Sequence, residues 1–101
     1  MNESVYMVAF VDVKDTQRYS SVYVADVVPL IIRHGGKVLA ASPPSTVKEG
    51  KFPPGYLALA EFPSQQAADA WYNDPEYQPL IKLRQSITES CLGFFPKGNA
   101  T

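Results

Sequence analysis

Hydrophobic positions along the chain follow two different spacings, and the changes between them divide the sequence into strands and helices. Residues 4–13 (SVYMVAFVDV) are rich in valine and aromatic side chains and predict a first β-strand. Apolar runs at residues 37–41 and 56–62 predict two more strands, and residues 89–98 predict a last strand with a tail. Residues 42–55 hold four of the nine prolines and predict a long loop.

The segment after the first strand has the spacing of a helix. Asp15 is a good N-cap, and apolar residues recur every three or four positions from residue 19 to residue 31. Pro29 lies inside this stripe, where it removes an amide donor and crowds a carbonyl group four residues earlier. A kink or a restart is therefore predicted near Ala25. The glycine pair at 35–36 predicts the end of the helix, with one glycine in the left-handed conformation.

The segment after the third strand predicts two shorter helices. Ser64 caps the first of them, whose buried side is Ala67, Ala68, Trp71 and Tyr72. Asp74 and Pro75 break it and predict the start of the next helix, with the aspartate as cap and the proline at the first position. The apolar stripe of this last helix also carries an arginine: Tyr77, Leu80, Ile81, Arg84 and Ile87.

The resulting order is β-α-β-β-α-β, which predicts an α+β ferredoxin-like fold with an antiparallel sheet and helices on one of its faces. A length of 101 residues allows one domain, residues 1–101. The first and third strands are apolar on both faces, although the face without helices should be polar in a monomer. A second copy of the chain is the expected cover, since most soluble oligomers are symmetric homodimers.

Composition narrows the classes of partner. A net charge of −1 and nine scattered basic residues argue against nucleic-acid binding. The short apolar run near the N-terminus is interrupted by Asp12, so no signal peptide and no membrane segment are predicted, and a soluble cytoplasmic protein is expected. Cys91 is the one cysteine, which excludes an intrachain disulfide and a thiolate metal cage. It is interpreted as a small buried hydrophobic residue near a strand.

Several segments resemble a known bacterial family. They are VDVKDTQRYSSVY, HGGKVL, KEGKF and, most specifically, EFPSQQAADAWYNDPEYQPLIKLR at residues 61–84. Over about residues 5–97 the chain resembles the family catalogued as domain of unknown function 1330, within the dimeric α/β-barrel superfamily. The resemblance implies the fold and dimerisation, while relatives in the superfamily include cofactor-free monooxygenases, muconolactone isomerases and ligand-sensing domains. Phe52 stands where the family tends to carry a tryptophan, which bears on the shape of a pocket mouth.

The candidate ligand-binding residues are Tyr19, Tyr23, His34, Glu61, Trp71, Tyr77 and Arg84. Arg84 could bind an anion through its planar guanidinium group, it could pair with Glu61 or Asp12, or it could bury its apolar stem and keep its charged end in water. Pairing is the favoured interpretation. His34 could act as a general base, but its place before two glycines favours a polar helix end. The aromatic candidates could line a cavity or simply fill the core.

The carboxylates complete the set of candidates. Glu61 and Asp12 stand on otherwise apolar faces, where burial would raise the pKa of an unpaired acid and suit it to proton abstraction. Pairing with Arg84 or Arg33 is the alternative. The sequence has no glycine-rich phosphate loop, nucleophile elbow or metal-ligand cluster, so no cofactor and no metal are predicted. The most probable function is binding of a small, partly apolar or anionic molecule. A cofactor-independent isomerase or monooxygenase, and a structural dimer without a ligand, are the alternatives.

Overall fold

Four antiparallel strands form one sheet in the computed structural model, which describes residues 3–98. The strands are β1 (Val5–Val13), β2 (Lys37–Ser42), β3 (Tyr56–Phe62) and β4 (Thr88–Pro96). Their order across the sheet is β2-β3-β1-β4, and every neighbouring pair is antiparallel. The two central strands are therefore those that precede the helical segments. This arrangement confirms the predicted ferredoxin-like α+β fold.

Helix α1, residues 16–33, crosses from β1 to β2 and changes its winding along the way. It consists of α-helical Thr16–Arg18, π-helical Tyr19–Val24 and α-helical Ala25–Arg33. The irregularity predicted near Ala25 is present, because α-helical winding resumes at that residue after the wider π-helical segment. Pro29 has no N–H group to donate to the Ala25 carbonyl. One backbone hydrogen bond of the regular α-helix is therefore missing between these two residues.

The caps of the helices agree with the sequence, with one exception. Asp15 Oδ1 accepts a hydrogen bond from the Arg18 amide at 3.1 Å, and Ser64 Oγ accepts one from the Ala67 amide at 3.0 Å. Ser64 thereby begins helix α2 (Gln65–Tyr72). Asp74 does not cap helix α3, which begins three residues later than Pro75 and spans Gln78–Ile87. The Asp74 carboxylate instead accepts from the Glu76 amide and closes the turn before the helix.

The core lies between the helices and one face of the sheet. Alternate residues of β1 point into it and are buried: Val5, Met7, Ala9 and Val11. Trp71 of α2 stacks on Tyr77 with ring centroids 4.6 Å apart, and both side chains are fully or almost fully buried. The predicted stripe of α3 is confirmed, since Tyr77, Leu80, Ile81, Arg84 and Ile87 are all buried.

The other face of the sheet, which we call the open face, is also apolar. Tyr6, Val8 and Phe10 of β1 lie beside Leu57 and Leu59 of β3, and all five are only half-buried. No helix or strand within residues 3–98 covers this face, and the loop of residues 43–55 borders it beside Phe10 and Leu57. The prediction that both faces are apolar is thus confirmed.

Cys91 of β4 also lies on the open face, where it is the direct partner of Phe10. Its side chain is exposed, so the interpretation of Cys91 as a buried core residue is wrong for the single chain. The reason is the alternation of the strand. Thr88 is buried on the helix side, and Cys91, three positions later, points to the opposite face.

The long loop returns to the sheet through Gly55, which has φ +94°. A Cβ atom there would lie 2.0 Å from the Val11 carbonyl oxygen. Gly55→Ala is therefore expected to lower the free energy of unfolding by on the order of 3 kcal/mol, measured by urea denaturation. Gly50→Ala is the matched control, because Gly50 has φ +75° but no atom within 4 Å of its Cβ position. The control should lose only about 1 kcal/mol. Equal losses would show that the close approach to Val11 is unimportant.

Candidate ligand-binding site

A cavity of about 100 Å³ lies between α1 and the helix-facing side of the sheet. Its floor exists because of small residues. Ala9 of β1 and Ala58 of β3 are direct partners, and Ala60 is the next residue of β3 on the same face. Three single methyl groups stand where larger side chains would fill the space beneath the helix, and protein interiors otherwise leave few voids of this size.

The π-helical segment of α1 supplies two tyrosines to the wall of the cavity. The rings of Tyr19 and Tyr23 are stacked with centroids 5.2 Å apart. Each hydroxyl has a tyrosine partner: the Tyr56 hydroxyl donates to that of Tyr19, and the hydroxyls of Tyr23 and Tyr77 are 2.6 Å apart. Burial is the main cause that raises the pKa of both Tyr19 and Tyr23 above the usual value. These groups therefore stay protonated at neutral pH and act as neutral hydrogen-bonding groups.

Arg84 lines the same cavity and is only 5% exposed. Its Nη1 atom donates to Ser90 Oγ at 2.7 Å, and its backbone carbonyl accepts from Thr88 Oγ1 at 2.5 Å. The buried Nε atom has no hydrogen-bond partner among residues 3–98. No carboxylate of this part of the chain forms an ion pair with the guanidinium group. Arg84 is thus a buried cation without an anionic partner in the part of the chain that the structure describes.

The favoured prediction, that Arg84 pairs with Glu61 or Asp12, is therefore wrong. Glu61 lies between the fully buried residues Ala60 and Phe62, so its side chain points to the open face. There it stands opposite Tyr6 and Lys37 in the neighbouring strands. Asp12 also alternates to that face and forms a salt bridge of 3.0 Å with Lys14.

Arg84 stays charged despite its burial. Burial alone lowers the pKa of a guanidinium group, but the nearby hydroxyl groups of Tyr23 and Tyr77 outweigh this effect, and the pKa of Arg84 is raised above its usual value. The cavity thus presents a permanent positive charge to whatever occupies it. Its other walls are almost entirely apolar, including Val27 and Ile31 of α1.

The structure brings together four of the predicted site residues and separates the others. Tyr19, Tyr23, Trp71 and Arg84 line the cavity. Tyr77 stands behind Tyr23 and holds its hydroxyl group. The indole Nε1 of Trp71 is a second buried donor without a partner within residues 3–98.

His34 does not line the cavity. Its Nε2 atom bonds to Asp74 Oδ2 at 2.7 Å and so ties the end of α1 to the turn before α3. Asp74 Oδ2 also lies 3.8 Å from Arg33 Nη1, and the same guanidinium group bonds to Glu76. This polar cluster links two elements near the surface, which agrees with the interpretation of His34 as a polar residue at a helix end.

The hydrogen bond from His34, together with the Glu76 amide, lowers the pKa of Asp74 below its usual value of 3.8. A carboxylate with a lowered pKa in the folded state stabilises the protein at pH values above 3.8, and this contribution is lost as the pH falls below that value. Asp74→Asn should therefore lower the melting temperature at pH 7, and the difference from the parent protein should shrink below pH 4. Melting curves between pH 2 and pH 7 test this. Glu76→Gln, which alters an exposed contact of the same cluster, should show a smaller effect at every pH.

The sequence did not reveal the residues that hydrogen-bond to the side chains of the site. Tyr56 and Ser90 were not candidates, because a hydroxyl-bearing residue in a strand is unremarkable without knowledge of what faces it. One signal was available: residues 56–60 (YLALA) alternate large and small side chains, and the alanines, at positions 58 and 60, form the cavity floor. Phe52 lies away from this cavity, in an exposed loop beside Phe10 and Leu57.

An open vestibule of about 590 Å³ adjoins the cavity. Both spaces share Val11, Tyr19 and Tyr56, so the hydrogen-bonded tyrosine pair stands at the junction between them. The rim of the vestibule is more polar than the lining of the cavity, and it includes Thr16 and Ser20. The cavity is therefore approached from the end of the sheet where β1 runs into the start of α1.

Comparison with known proteins agrees with this architecture. The family model described as domain of unknown function (DUF1330) matches residues 4–95. The chain belongs to the DUF1330 family. No curated protein sequence matches this DUF1330 protein. Within residues 3–98, no helix is long and apolar enough to cross a membrane, and no group of three histidine, cysteine or acidic side chains could hold a metal ion.

Solved structures with the same fold include three informative examples. A protein of unknown function from Rhodopseudomonas palustris is 21% identical, with a TM-score of 0.78 over 99% of this chain and 86% of that one. SnoaB, a cofactor-independent oxygenase from Streptomyces nogalater, is 17% identical, with a TM-score of 0.69 over 98% and 96% of the two chains. A dimeric ferredoxin-like protein from Thermobifida fusca is 10% identical, with a TM-score of 0.54 over 95% and 92%. Identities this low show the shared fold alone.

Proposed function

We propose that this DUF1330 protein binds a small, anionic and partly apolar molecule in the cavity beneath α1, with Arg84 as the anchor for the anion. The observation that carries this proposal is the charge of Arg84, which is buried without a carboxylate among residues 3–98. An unpaired buried charge is costly, and proteins normally compensate it with a counterion. A bound anion would supply that counterion.

The chemistry of the walls supports an anion with an apolar body. The polar groups around the cavity are hydrogen-bond donors or neutral hydroxyls: the guanidinium of Arg84, the indole of Trp71 and the hydroxyls of Tyr19, Tyr23 and Tyr56. The remaining lining is aliphatic, as in many small-molecule sites that combine apolar walls with a few polar groups. A cation would be repelled by Arg84, and a fully hydrated inorganic anion would leave the apolar walls uncovered.

A cofactor-independent enzyme is the second candidate function, supported by the fold that the chain shares with SnoaB. The described cavity favours binding over such catalysis. No histidine or carboxylate lines it within residues 3–98. The raised pKa of the Tyr19 and Tyr23 hydroxyls makes them poor bases at neutral pH. Turnover of small enolisable acids and phenols in air, followed by chromatography, would distinguish the enzyme from the binder.

The protein would act as a homodimer that buries the open face against a second copy. Tyr6, Val8, Phe10, Leu57 and Leu59 form an apolar surface in the two central strands. The rim of this surface carries charges of both signs, with Lys37 beside Glu61 at one end and Asp12 beside Glu89 at the other. An apolar centre with a polar rim is the usual anatomy of a protein interface. The Thermobifida fusca protein with this fold is described as dimeric.

The anion site can be tested through Trp71, which is the chain's one tryptophan and lines the cavity. Its fluorescence is titrated with small carboxylic acids and with the matched neutral amides. The acids should change the emission with saturation, and each amide should bind at least about tenfold more weakly because it cannot neutralise Arg84. Arg33→Met, which removes an arginine that does not line the cavity, should leave the titrations unchanged. Equal binding of acids and amides would contradict the proposal.

A further inference from the structure

We infer that the ligand is a monocyclic aromatic carboxylic acid, held by its carboxylate on one edge of the Arg84 guanidinium group and by its ring on the alanine floor. This inference rests on the proposed anion site and specifies what occupies it. Three features of the cavity support it: the Nε–H group of Arg84, the size and shape of the floor, and the direction in which the cavity runs.

The first feature is the Nε–H group of Arg84. Nη1 donates a hydrogen bond to Ser90 Oγ, whereas the buried Nε has no hydrogen-bond partner within residues 3–98. Nε and Nη2 carry parallel N–H bonds on the side of the guanidinium group away from Nη1. Two parallel donors match the two oxygens of a carboxylate in a bidentate contact. A phenolate or an enolate offers one oxygen and cannot form this contact between two donors and two oxygens.

The second feature is the space above the floor. Ala9, Ala58 and Ala60 form a shallow hollow on the sheet, and the stacked rings of Tyr19 and Tyr23 lie on the helix side. Its volume of about 100 Å³ is of the order of the cavity of roughly 150 Å³ that accommodates benzene. This volume limits the apolar part of the ligand to no more than a single ring, and a fused bicyclic ring is too large. A flexible chain of the same volume would lose more conformational entropy on binding than a rigid ring.

The third feature is the direction of the cavity, which follows from the strand register. Ser90, the partner of Arg84, and Tyr56, at the vestibule, are both paired with Val11. Ala60 is paired with Met7, four residues farther along β1. The carboxylate would therefore lie level with the vestibule, and the ring would point away from it over the alanines. The charged end stays near water and the apolar end is buried.

The test is isothermal titration calorimetry of the full chain with four compounds. Three are sodium salts, benzoate, hexanoate and 2-naphthoate, and the fourth is the neutral amide benzamide. Benzoate should bind at least about tenfold more tightly than each of the other three compounds. If hexanoate binds as tightly as benzoate, the inference that the ligand is aromatic is wrong, whereas the proposed anion site is still supported. Equal binding of 2-naphthoate would overturn the size limit. Failure of every acid to bind would overturn the proposed function itself.

A variant of the floor tests the position of the ring. Ala58→Leu places three more carbon atoms in the hollow, and benzoate affinity should fall at least about tenfold while the far-ultraviolet circular dichroism spectrum is retained. Ala58→Val, a smaller change, should give an intermediate loss and serves if the leucine variant does not fold. Ala70→Leu on the exposed side of α2 is the matched control and should bind benzoate normally. Unchanged benzoate affinity in both folded Ala58 variants would show that the ring does not lie on the floor.

Discussion

Replacing Arg84 with methionine is expected to abolish binding of acids while leaving the stability of the fold nearly unchanged. Methionine keeps most of the length of the side chain and removes a charge that is 5% exposed and has no carboxylate partner within residues 3–98. The loss of the hydrogen bond to Ser90 and of the contacts with the tyrosine hydroxyls offsets the relief of the desolvation cost, so the free energy of unfolding should change by no more than about 1 kcal/mol. Affinity for benzoate should fall by roughly 100-fold or more, because the bound carboxylate would lose its charge partner.

Two measurements on the same variant separate a ligand-binding arginine from a structural one. Urea denaturation reports the change in stability, and calorimetry reports the change in affinity. Arg33→Met is the control, because Arg33 is exposed and pairs with Glu76 at the surface; it should change neither quantity much. A large loss of stability in Arg84→Met would show that the guanidinium group, through Ser90 and the neighbouring tyrosines, mainly supports the fold.

Replacing Val8 with glutamate is expected to convert the proposed dimer to a folded monomer. Val8 lies at the centre of the open face, between Leu59 and Gly93 of the adjacent strands. A symmetric interface would bury the new charge twice, at a cost of about 3 kcal/mol per copy, which corresponds to a dissociation constant raised by on the order of 10⁴. The monomer should remain folded, since the side chain at this position already faces outward in the single chain.

Sedimentation velocity at micromolar concentration measures the change in mass, and Cys91 provides an independent readout. Cys91 lies on the same face and is exposed in the single chain, so it should react slowly with an alkylating reagent in the parent protein and faster in Val8→Glu. Gln66→Glu adds the same charge on the exposed side of α2 and should leave the dimer intact. A parent protein that sediments as a monomer at micromolar concentration would exclude the proposed dimer.

Much of the fold was predictable because the signals that define it are local. Asp15 and Ser64 cap their helices through contacts with residues three positions later, and such contacts depend only on neighbouring sequence. The start of α3 was predicted too early because Asp74 has two competing uses. Its carboxylate is engaged by His34 from a distant part of the chain and by the Glu76 amide, and no local rule reveals the former contact.

The sequence by itself determined the order of the elements, the stripe that carries Arg84 and the apolar character of both faces of the sheet. Only the tertiary structure decided which face the helices cover. Because both faces of β1 and β3 are apolar, the alternation of their side chains could not tell on which side Arg84 would lie. The helices cover the side of Ala58 and Ala60, which puts Glu61 and Asp12 on the opposite face and leaves Arg84 without a carboxylate from either. The same placement lays α1 over a floor of methyl groups and so creates the cavity.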